Sequence, residues 1–217
     1  MKTFRSTLLA ASLAFVAPSA WAACDAPDGK IAYTVKWGDD RIGTDTVEFR
    51  REGDRLMIRT QMAVKASMMF VTVLRMTHES EEIWVEGRFR SFRGHTVDNG
   101  DVFDVAIEPA PDGYKVTRNG ESRVVPANFL PGSPWCTDML APLGSRTLVD
   151  LLKGKVGTVD VVRRPDEPLI IGGETVTAQH YDMVGELQRE SWFDAQGRFL
   201  RARVPAKLGP KVTIGLE

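Results

Sequence analysis

Apolar and polar residues alternate with a period of two along much of the chain, and the longest such run covers residues 55–79. Its apolar residues fall mainly at even positions: Leu56, Ile58, Met62, Val64, Ala66, Met68, Phe70, Leu74 and Met76. Because successive side chains of a strand point to opposite faces, the run predicts a strand with one buried face, bent or broken near Ala66-Ser67. Between Met68 and Leu74 both faces are apolar, which indicates a patch that another element covers or that lines a pocket.

Turn sequences such as "REGD", "DNGD", "PAPDG", "RNGE" and "DAQG" separate further runs rich in Val, Ile, Thr and aromatic residues. This punctuation is typical of an antiparallel meander. Asn99-Gly100 and Asn119-Gly120 suit tight hairpins, because both residue types tolerate positive φ.

The segment "VPANFLPGSPWCTDMLAPLG" carries four prolines and is too rich in proline for a central strand. We interpret it as a crossover between strand groups at about 28–126 and 155–217. After it, "SRTLVDLLKG" predicts a short helix at about 145–153, with Ser145 as its cap and Gly154 as its stop. The predicted fold is therefore mostly β: one curled antiparallel sheet, a β-roll or half-barrel meander with one short helix, in a single domain over residues 23–217.

The first 22 residues have the order of a secretory signal peptide. Lys2 and Arg5 precede an apolar stretch from Leu8 to Val16, and Ala20-Trp21-Ala22 forms a cleavage site. The apolar stretch is about half the length that a membrane helix needs. The sequence therefore predicts a periplasmic or secreted protein with no integral membrane segment after signal removal.

The chain contains two cysteines, Cys24 and Cys136. A lipoprotein signal also ends in small residues before a cysteine, but Trp21 stands where such signals have an aliphatic residue. An even pair in an oxidising compartment favours a disulfide over lipidation of Cys24. Closing a loop of about 110 residues would stabilise the fold by up to ~4–5 kcal/mol.

The charges nearly balance, with 28 Lys and Arg against 29 Asp and Glu. Removal of the predicted signal takes away Lys2 and Arg5 and changes the net charge from −1 to −3. Without a basic stripe, nucleic-acid binding and anchoring on anionic lipid both lose their electrostatic basis.

Motifs of the common enzyme classes are missing from the sequence: a G-x-S-x-G elbow, a P-loop, a dinucleotide G-x-G-x-x-G and H-E-x-x-H. Two cysteines without C-x-x-C spacing exclude a cysteine-based metal site. His78 opens "HESEE", which fits a solvated hairpin end better than a metal site. His180 in "AQHYDM" is predicted to be hydrogen-bonded within a strand rather than to act as a base. The sequence therefore predicts no catalytic residue, no metal and no cofactor.

Methionines cluster in one strand region: Met57, Met62, Met68, Met69 and Met76. Core packing accounts for them, and an adaptable apolar cavity is the alternative. Aromatic residues that could wall either one are Trp84, Phe89, Phe92, Phe103, Phe129 and Trp135. The candidate ligand-binding residues are Arg75, His78, Trp84, Asn99, Met68 and Phe70. Arg75 could pair with a ligand carboxylate or phosphate, although Glu82 and Glu86 are the expected partners.

Three segments carry a resemblance to a known family: "VKASMMFVTVLRMTHESEEIWVEGRFRSFRGHTVDNGD", "PANFLPGSPW" and "SWFDAQGRFLRAR". Together they resemble a family of uncharacterised bacterial secreted proteins, the domain of unknown function 6134, which is related to the 3108-type β-roll family. The chain departs from the family pattern in the crossover, which carries Cys136 and lacks the usual Trp-Asn after Phe. The resemblance implies an envelope-exported antiparallel β-roll or half-barrel, and it implies no activity and no catalytic residues.

Three functional hypotheses remain at this stage. The favoured one is an envelope binding module with an apolar groove for an amphiphile or small ligand. The second is a structural or assembly partner that pairs with other envelope proteins through sheet edges. The third is a hydrolase that uses Asp, Glu and His groups near "HESEE" and "DNGD", and the sequence favours a role without catalysis.

Overall fold

The structure is a computed structural model that describes residues 26–68, 71–206 and 209–217, without the side chains of Met68 and Val71. The predicted signal peptide, Cys24 and Phe70 lie outside the described residues. The described strands are β1 Gly29–Trp37, β2 Asp40–Glu52, β3 Arg55–Met68, β4 Val71–Val85, β5 Arg88–Asp98, β6 Asp101–Ala110, β7 Gly113–Arg118, β8 Glu121–Val125, β9 Leu130–Pro131, β10 Gly144–Val149, β11 Val156–Ile171, β12 Glu174–Gly185, β13 Arg189–Phe193, β14 Phe199–Val204 and β15 Val212–Gly215. Within the same residues a 3-10 turn, Thr137–Leu140, is the only helical element.

All of these strands form one sheet, in the order β8 through β1 and then β15 through β9. Neighbours pair antiparallel except the short β9, which pairs parallel with β10. The first and last strands, β1 and β15, pair with each other near the middle of the sheet. This open meander confirms the predicted mostly-β class.

The main core shows that the sheet curls on itself. Phe49 and Phe92 from the first half pack in one cluster with Val149, Met183 and Phe193 from the second half. These strands are far apart in the order of the sheet, so their inner faces can meet only if the sheet bends round. Cys136 is buried in this cluster, and its pairing with Cys24 stays a prediction.

The run at 55–79 is two strands rather than one. Its bend near Ala66-Ser67 is a β-bulge, and the chain reverses between Met68 and Val71 so that β3 and β4 pair antiparallel. Even positions face the core as predicted, including Leu56, Ile58 and Val64. The two Asn-Gly pairs form the predicted two-residue hairpins, and Asn99 has φ 52°.

The predicted helix at about 145–153 is wrong, because residues 144–149 form β10. Arg146 and Leu148 are buried at alternate positions, which is a strand pattern. A helix of this length is marginal without tertiary support, and Thr147 and Val149 favour extended backbone. After β10 the chain turns at Asp150, whose carbonyl accepts the N–H of Gly154 at 2.8 Å.

Among the described residues, no helix has the length and apolar character needed to cross a bilayer.

Candidate functional site

A cavity of about 590 Å³ lies against the inner face of β2–β4. The crossover residues Gly132–Trp135 close one side of it, and the turns at 150–152 and 185–189 close another. Its apolar lining residues include Val47, Phe49, Ile58, Met62, Phe92, Trp135, Leu148, Leu151, Leu187, Phe199 and Ile214. The cavity therefore separates the main core from a smaller apolar cluster around Val35 and Val64.

Strand register brings polar groups onto this apolar face. Asp45, Met62 and His78 are partners across β2, β3 and β4 and so share one face. Four residues further along each strand, Phe49, Ile58 and Glu82 form a parallel row on the same face. A carboxylate and an imidazole thus stand at one end of the wall, and a second carboxylate stands at the other.

His78 is a buried neutral imidazole rather than a solvated rim residue. Its Nδ1 lies 2.8 Å from Thr96 Oγ1 and its Nε2 lies 2.9 Å from Ser80 Oγ. Gly94 leaves room for the ring, because a Cβ there would come within 3.2 Å of His78 Cε1. Burial, with a smaller contribution from His95, lowers the pKa of His78 to about 4.

Glu82 is 6% exposed and accepts a hydrogen bond from the indole N–H of Trp84. Burial raises the pKa of Glu82 to about 7, although the indole groups of Trp84 and Trp135 act in the opposite direction. Burial therefore favours the protonated form of Glu82 in this wall of the cavity.

Arg189 is the cation of the cavity. Its guanidinium donates to the carbonyl of Gly132 at 2.7 Å and to Ser191 Oγ at 3.1 Å. Burial lowers its pKa to about 10, and the charges of Asp45 and Asp150 act in the opposite direction. Among the described residues it has no direct ion-pair partner, so its charge is held in place and only partly compensated.

Asp45 stands near Arg189 without contacting it. Burial raises the pKa of Asp45 to about 6, and Arg189 acts in the opposite direction. The buried Oδ1 atom of Asp45 has no hydrogen-bond partner in the described part of the chain. This end of the cavity therefore offers a fixed cation and an acceptor that a ligand could use.

Of the residues predicted for the site, the structure places His78 in the cavity lining. Trp84 is 4% exposed and lies in the core behind Glu82. Arg75 is exposed outside the cavity, and its backbone N–H donates to Asn99 Oδ1 at 2.8 Å. Phe70 and the side chain of Met68 lie outside the described residues. The predicted crossover does contribute to the wall, through Trp135 among others.

The "TVDNGD" segment has structural roles. Thr96 contacts His78, and Asp98 forms a buried ion pair with Lys153 of the turn after β10. Asn99 occupies the left-handed turn position, and its N–H donates to the carbonyl of Arg75 at 2.8 Å. The segment thus joins a hairpin to two neighbouring elements.

Sequence reasoning missed Asp45, Glu82 and Arg189. For Glu82 a signal was present, because it shares the even parity of the buried positions and of His78. Arg189 follows a turn and has no apolar alternation around it that could have placed it inside.

The family described as "Domain of unknown function (DUF6134)" matches residues 33–217. A beta-barrel-like protein of the domain of unknown function DUF1849 from Brucella abortus is similar in structure, with a TM-score of 0.59 and 9% identity over 87% of this chain and 94% of that one. A DUF1089 family protein from Pseudomonas aeruginosa has a TM-score of 0.43 and 10% identity over 94% of this chain and 99% of that one. No curated protein matches the chain. The first structure supports the barrel-like fold alone.

Proposed function

The chain belongs to the DUF6134 family of unknown function, and we propose that it is an exported envelope protein that binds an amphiphile whose acidic head group pairs with Arg189. The cavity on β2–β4 is the observation that carries this proposal. Its lining is mainly aliphatic and aromatic with a few placed polar groups, which is the usual composition of a small-molecule site.

The head-group assignment rests on Arg189. A guanidinium presents a planar fork of donors that matches a carboxylate or phosphate. Here two of its nitrogens are held by Gly132 and Ser191, so the fork is oriented before a ligand arrives. An anionic head would compensate the buried charge, and the ligand chain would lie along Val47, Ile58 and Met62.

The export step rests on the N-terminal sequence. A basic start, an apolar stretch and a small-residue cleavage site predict delivery to the periplasm. A protein that binds amphiphiles has a use in that compartment, because the apolar chain of an amphiphile must be kept out of water while the molecule crosses it.

Two other functions, pairing through a sheet edge and hydrolysis, would use other parts of the molecule. Pairing through a sheet edge would use β8, where Val124 is 58% exposed and one side of the backbone has no strand neighbour in the described sheet. Hydrolysis would use the Ser80–His78 contact, but the depressed pKa of His78 makes it a weak base at neutral pH. Both functions are less well supported than binding in the cavity.

The proposal is tested with three amphiphiles of one chain length: dodecanoate, dodecylamine and dodecanol. Each is titrated by calorimetry into mature, delipidated protein and into two variants, Arg189→Met and Arg75→Met. We expect dodecanoate to bind, and Arg189→Met to weaken it by about tenfold to a hundredfold because a charge-assisted hydrogen bond is lost. Arg75→Met is the matched control and should bind as the wild type does.

Equal weakening in both variants would remove Arg189 from the site. Preferential binding of dodecylamine would mean that Asp45 and Glu82 dominate the head-group end and would overturn the acidic-head assignment. If none of the three amphiphiles binds, the binding-module function fails and partner pairing through the β8 edge becomes the better account.

A further inference from the structure

A second cluster of polar groups lies on the opposite face of the sheet, away from the cavity. It consists of His180 and Asp182 on β12 and Glu190 on β13. Asp182 and Glu190 are register partners, and His180 is two residues from Asp182 and therefore on the same face. One nitrogen or oxygen atom from each residue lies within 4.8 Å of the others.

His180 is unusual because it is buried without hydrogen bonds. Its exposure is 7%, and both ring nitrogens are buried with no hydrogen-bond partner among the described residues. Nδ1 lies 3.0 Å from Glu167 Oε1 and Nε2 lies 3.1 Å from Asp182 Oδ1, yet neither contact has hydrogen-bond geometry. His180 therefore lies in a strand, as the sequence predicted, but its ring makes none of the predicted hydrogen bonds.

The distances suit two ligands of one ion. Nitrogen and oxygen ligands bind first-row divalent cations at about 2.0–2.2 Å, so two ligand atoms of one ion lie about 3–3.5 Å apart. The 3.1 Å between His180 Nε2 and Asp182 Oδ1 falls in that range. Two carboxylates directly opposite each other across strands repel, and a bound cation would lower that repulsion further than the neighbouring basic side chains do.

The surroundings of the ring match those of a metal-binding imidazole. Such a ring usually presents its second nitrogen to a carboxylate, which fixes its tautomer and orientation. Glu167 lies beside that nitrogen, with Oε1 3.0 Å from Nδ1, although the contact lacks hydrogen-bond geometry. The indole N–H of Trp192 donates to Glu167 Oε2 at 3.1 Å. The same indole stacks on the imidazole with centroids 4.5 Å apart and planes 14° apart. Trp192 thus holds both the ring and the carboxylate behind it.

We propose that His180 Nε2, Asp182 and Glu190 bind a divalent transition-metal ion, with Glu167 and Trp192 orienting the imidazole. One imidazole and two carboxylates suit Zn²⁺ and related first-row ions better than Ca²⁺ or Mg²⁺, which prefer oxygen ligands alone. The site shares no residue with the cavity lining, so it does not depend on the proposed function.

Three cations border the cluster and set its charge. Arg164 Nε donates to Asp182 Oδ2 at 2.6 Å, while Lys211 and Arg203 lie 3.0 and 3.7 Å from Glu190 Oε2. These contacts use one oxygen of each carboxylate and leave Asp182 Oδ1 and Glu190 Oε1 for the ion. The competing account is a purely ionic network in which His180 bridges Glu167 and Asp182 with no ion present.

The test is calorimetric titration of Zn²⁺ into the metal-free, untagged mature protein. We expect saturable binding of one Zn²⁺ per chain, reversed by a chelator. Both His180→Ala and Glu190→Gln should weaken it by at least about tenfold. His95→Ala is the matched control, because His95 forms an exposed contact with Asp104 at 2.7 Å on the other half of the sheet. It should bind as the wild type does.

Absence of saturable binding by the wild type would overturn the proposal and favour the ionic network. Wild-type affinity in His180→Ala would do the same, because the ion would then bind elsewhere. Glu190→Gln removes one ligand without disturbing the buried ring, so it answers the question even if His180→Ala fails to fold.

Discussion

Glu82 shows how the position of one residue decides its chemistry. In sequence it is one of three acidic residues in "HESEE", together with Glu79 and Glu81. Its even position turns it inward, where it is 6% exposed and bonded to Trp84, while Glu81 points outward and pairs with Arg59. Neighbours in the chain thus differ in environment because alternate side chains of a strand face opposite ways.

This burial predicts a stability that depends on pH. The folded-state pKa of Glu82 is about 7 against an ordinary 4.5, so the folded state holds the proton more tightly than the unfolded state. The contribution of Glu82 to stability is therefore full below its unfolded pKa and is lost as pH rises through about 7. Glu82→Gln cannot titrate at this position, so the variant does not lose this stabilisation as the pH rises. We expect the free energy of unfolding of the variant, relative to wild type, to rise by up to ~3 kcal/mol between about pH 5 and pH 8.

Urea unfolding at both pH values measures this difference. The contribution of His78 runs the opposite way: its folded pKa of about 4 lies below the ordinary 6.5, so its stabilisation is lost as pH falls through that interval. His78 is present in both proteins and cancels from the comparison. Glu81→Gln is the control on the outer face, and its difference from wild type should stay constant. A constant difference for Glu82→Gln would show that Glu82 does not take up a proton on folding.

At the scale of elements, β10 explains how the proline-rich crossover is held. Arg146 is 5% exposed, and its guanidinium donates to the carbonyls of Asn128, Ala141 and Pro142 at 2.8, 3.1 and 3.3 Å. The extended backbone of β10 directs this side chain inward beneath the crossover. The crossover then places Trp135 over the cavity.

We therefore expect Arg146→Met to destabilise the protein by about 2–4 kcal/mol, because the three hydrogen bonds that the buried guanidinium donates to the crossover are lost. Denaturant unfolding measures the change, and Arg93→Met, which removes an exposed pair with Glu108, should alter stability by less than about 0.5 kcal/mol. A small effect of Arg146→Met would mean that the crossover is held by its apolar residues alone.

At the scale of the whole molecule, the cavity exists only because the sheet curls. Its walls come from β2–β4, the crossover, the two turns and the last strands, which are distant in sequence. The pairing of β1 with β15 joins the first and last described strands, so that both halves of the described chain form one continuous sheet.

Intact-mass spectrometry of the full-length protein, expressed with its own signal and purified from the envelope, tests the molecule as a whole. We expect a chain that begins at Ala23 and is lighter by two hydrogens, because Cys24 and Cys136 would form a disulfide. Under native conditions we also expect added mass from a bound amphiphile. A diacylglyceryl group on Cys24 would contradict the disulfide and make the protein a lipoprotein.

The sequence by itself determined the fold class, the family and the inward face of the longest run. Period-two alternation and Asn-Gly turns are local signals, and backbone geometry converts them directly into strands and hairpins. The sequence also named His78 and Trp135 as candidates for the cavity, and both line it, although His78 is buried rather than solvated as predicted.

Only the tertiary structure decided the strand at 144–149, the position of Arg189 inside the cavity and the cluster of His180, Asp182 and Glu190. Local propensity for a nine-residue segment is too weak to oppose the packing of Leu148 and Val149 against the core. Arg189 and the cluster depend on which strands become neighbours when the sheet curls. That choice is made by contacts between residues far apart in the chain, and no local pattern records it.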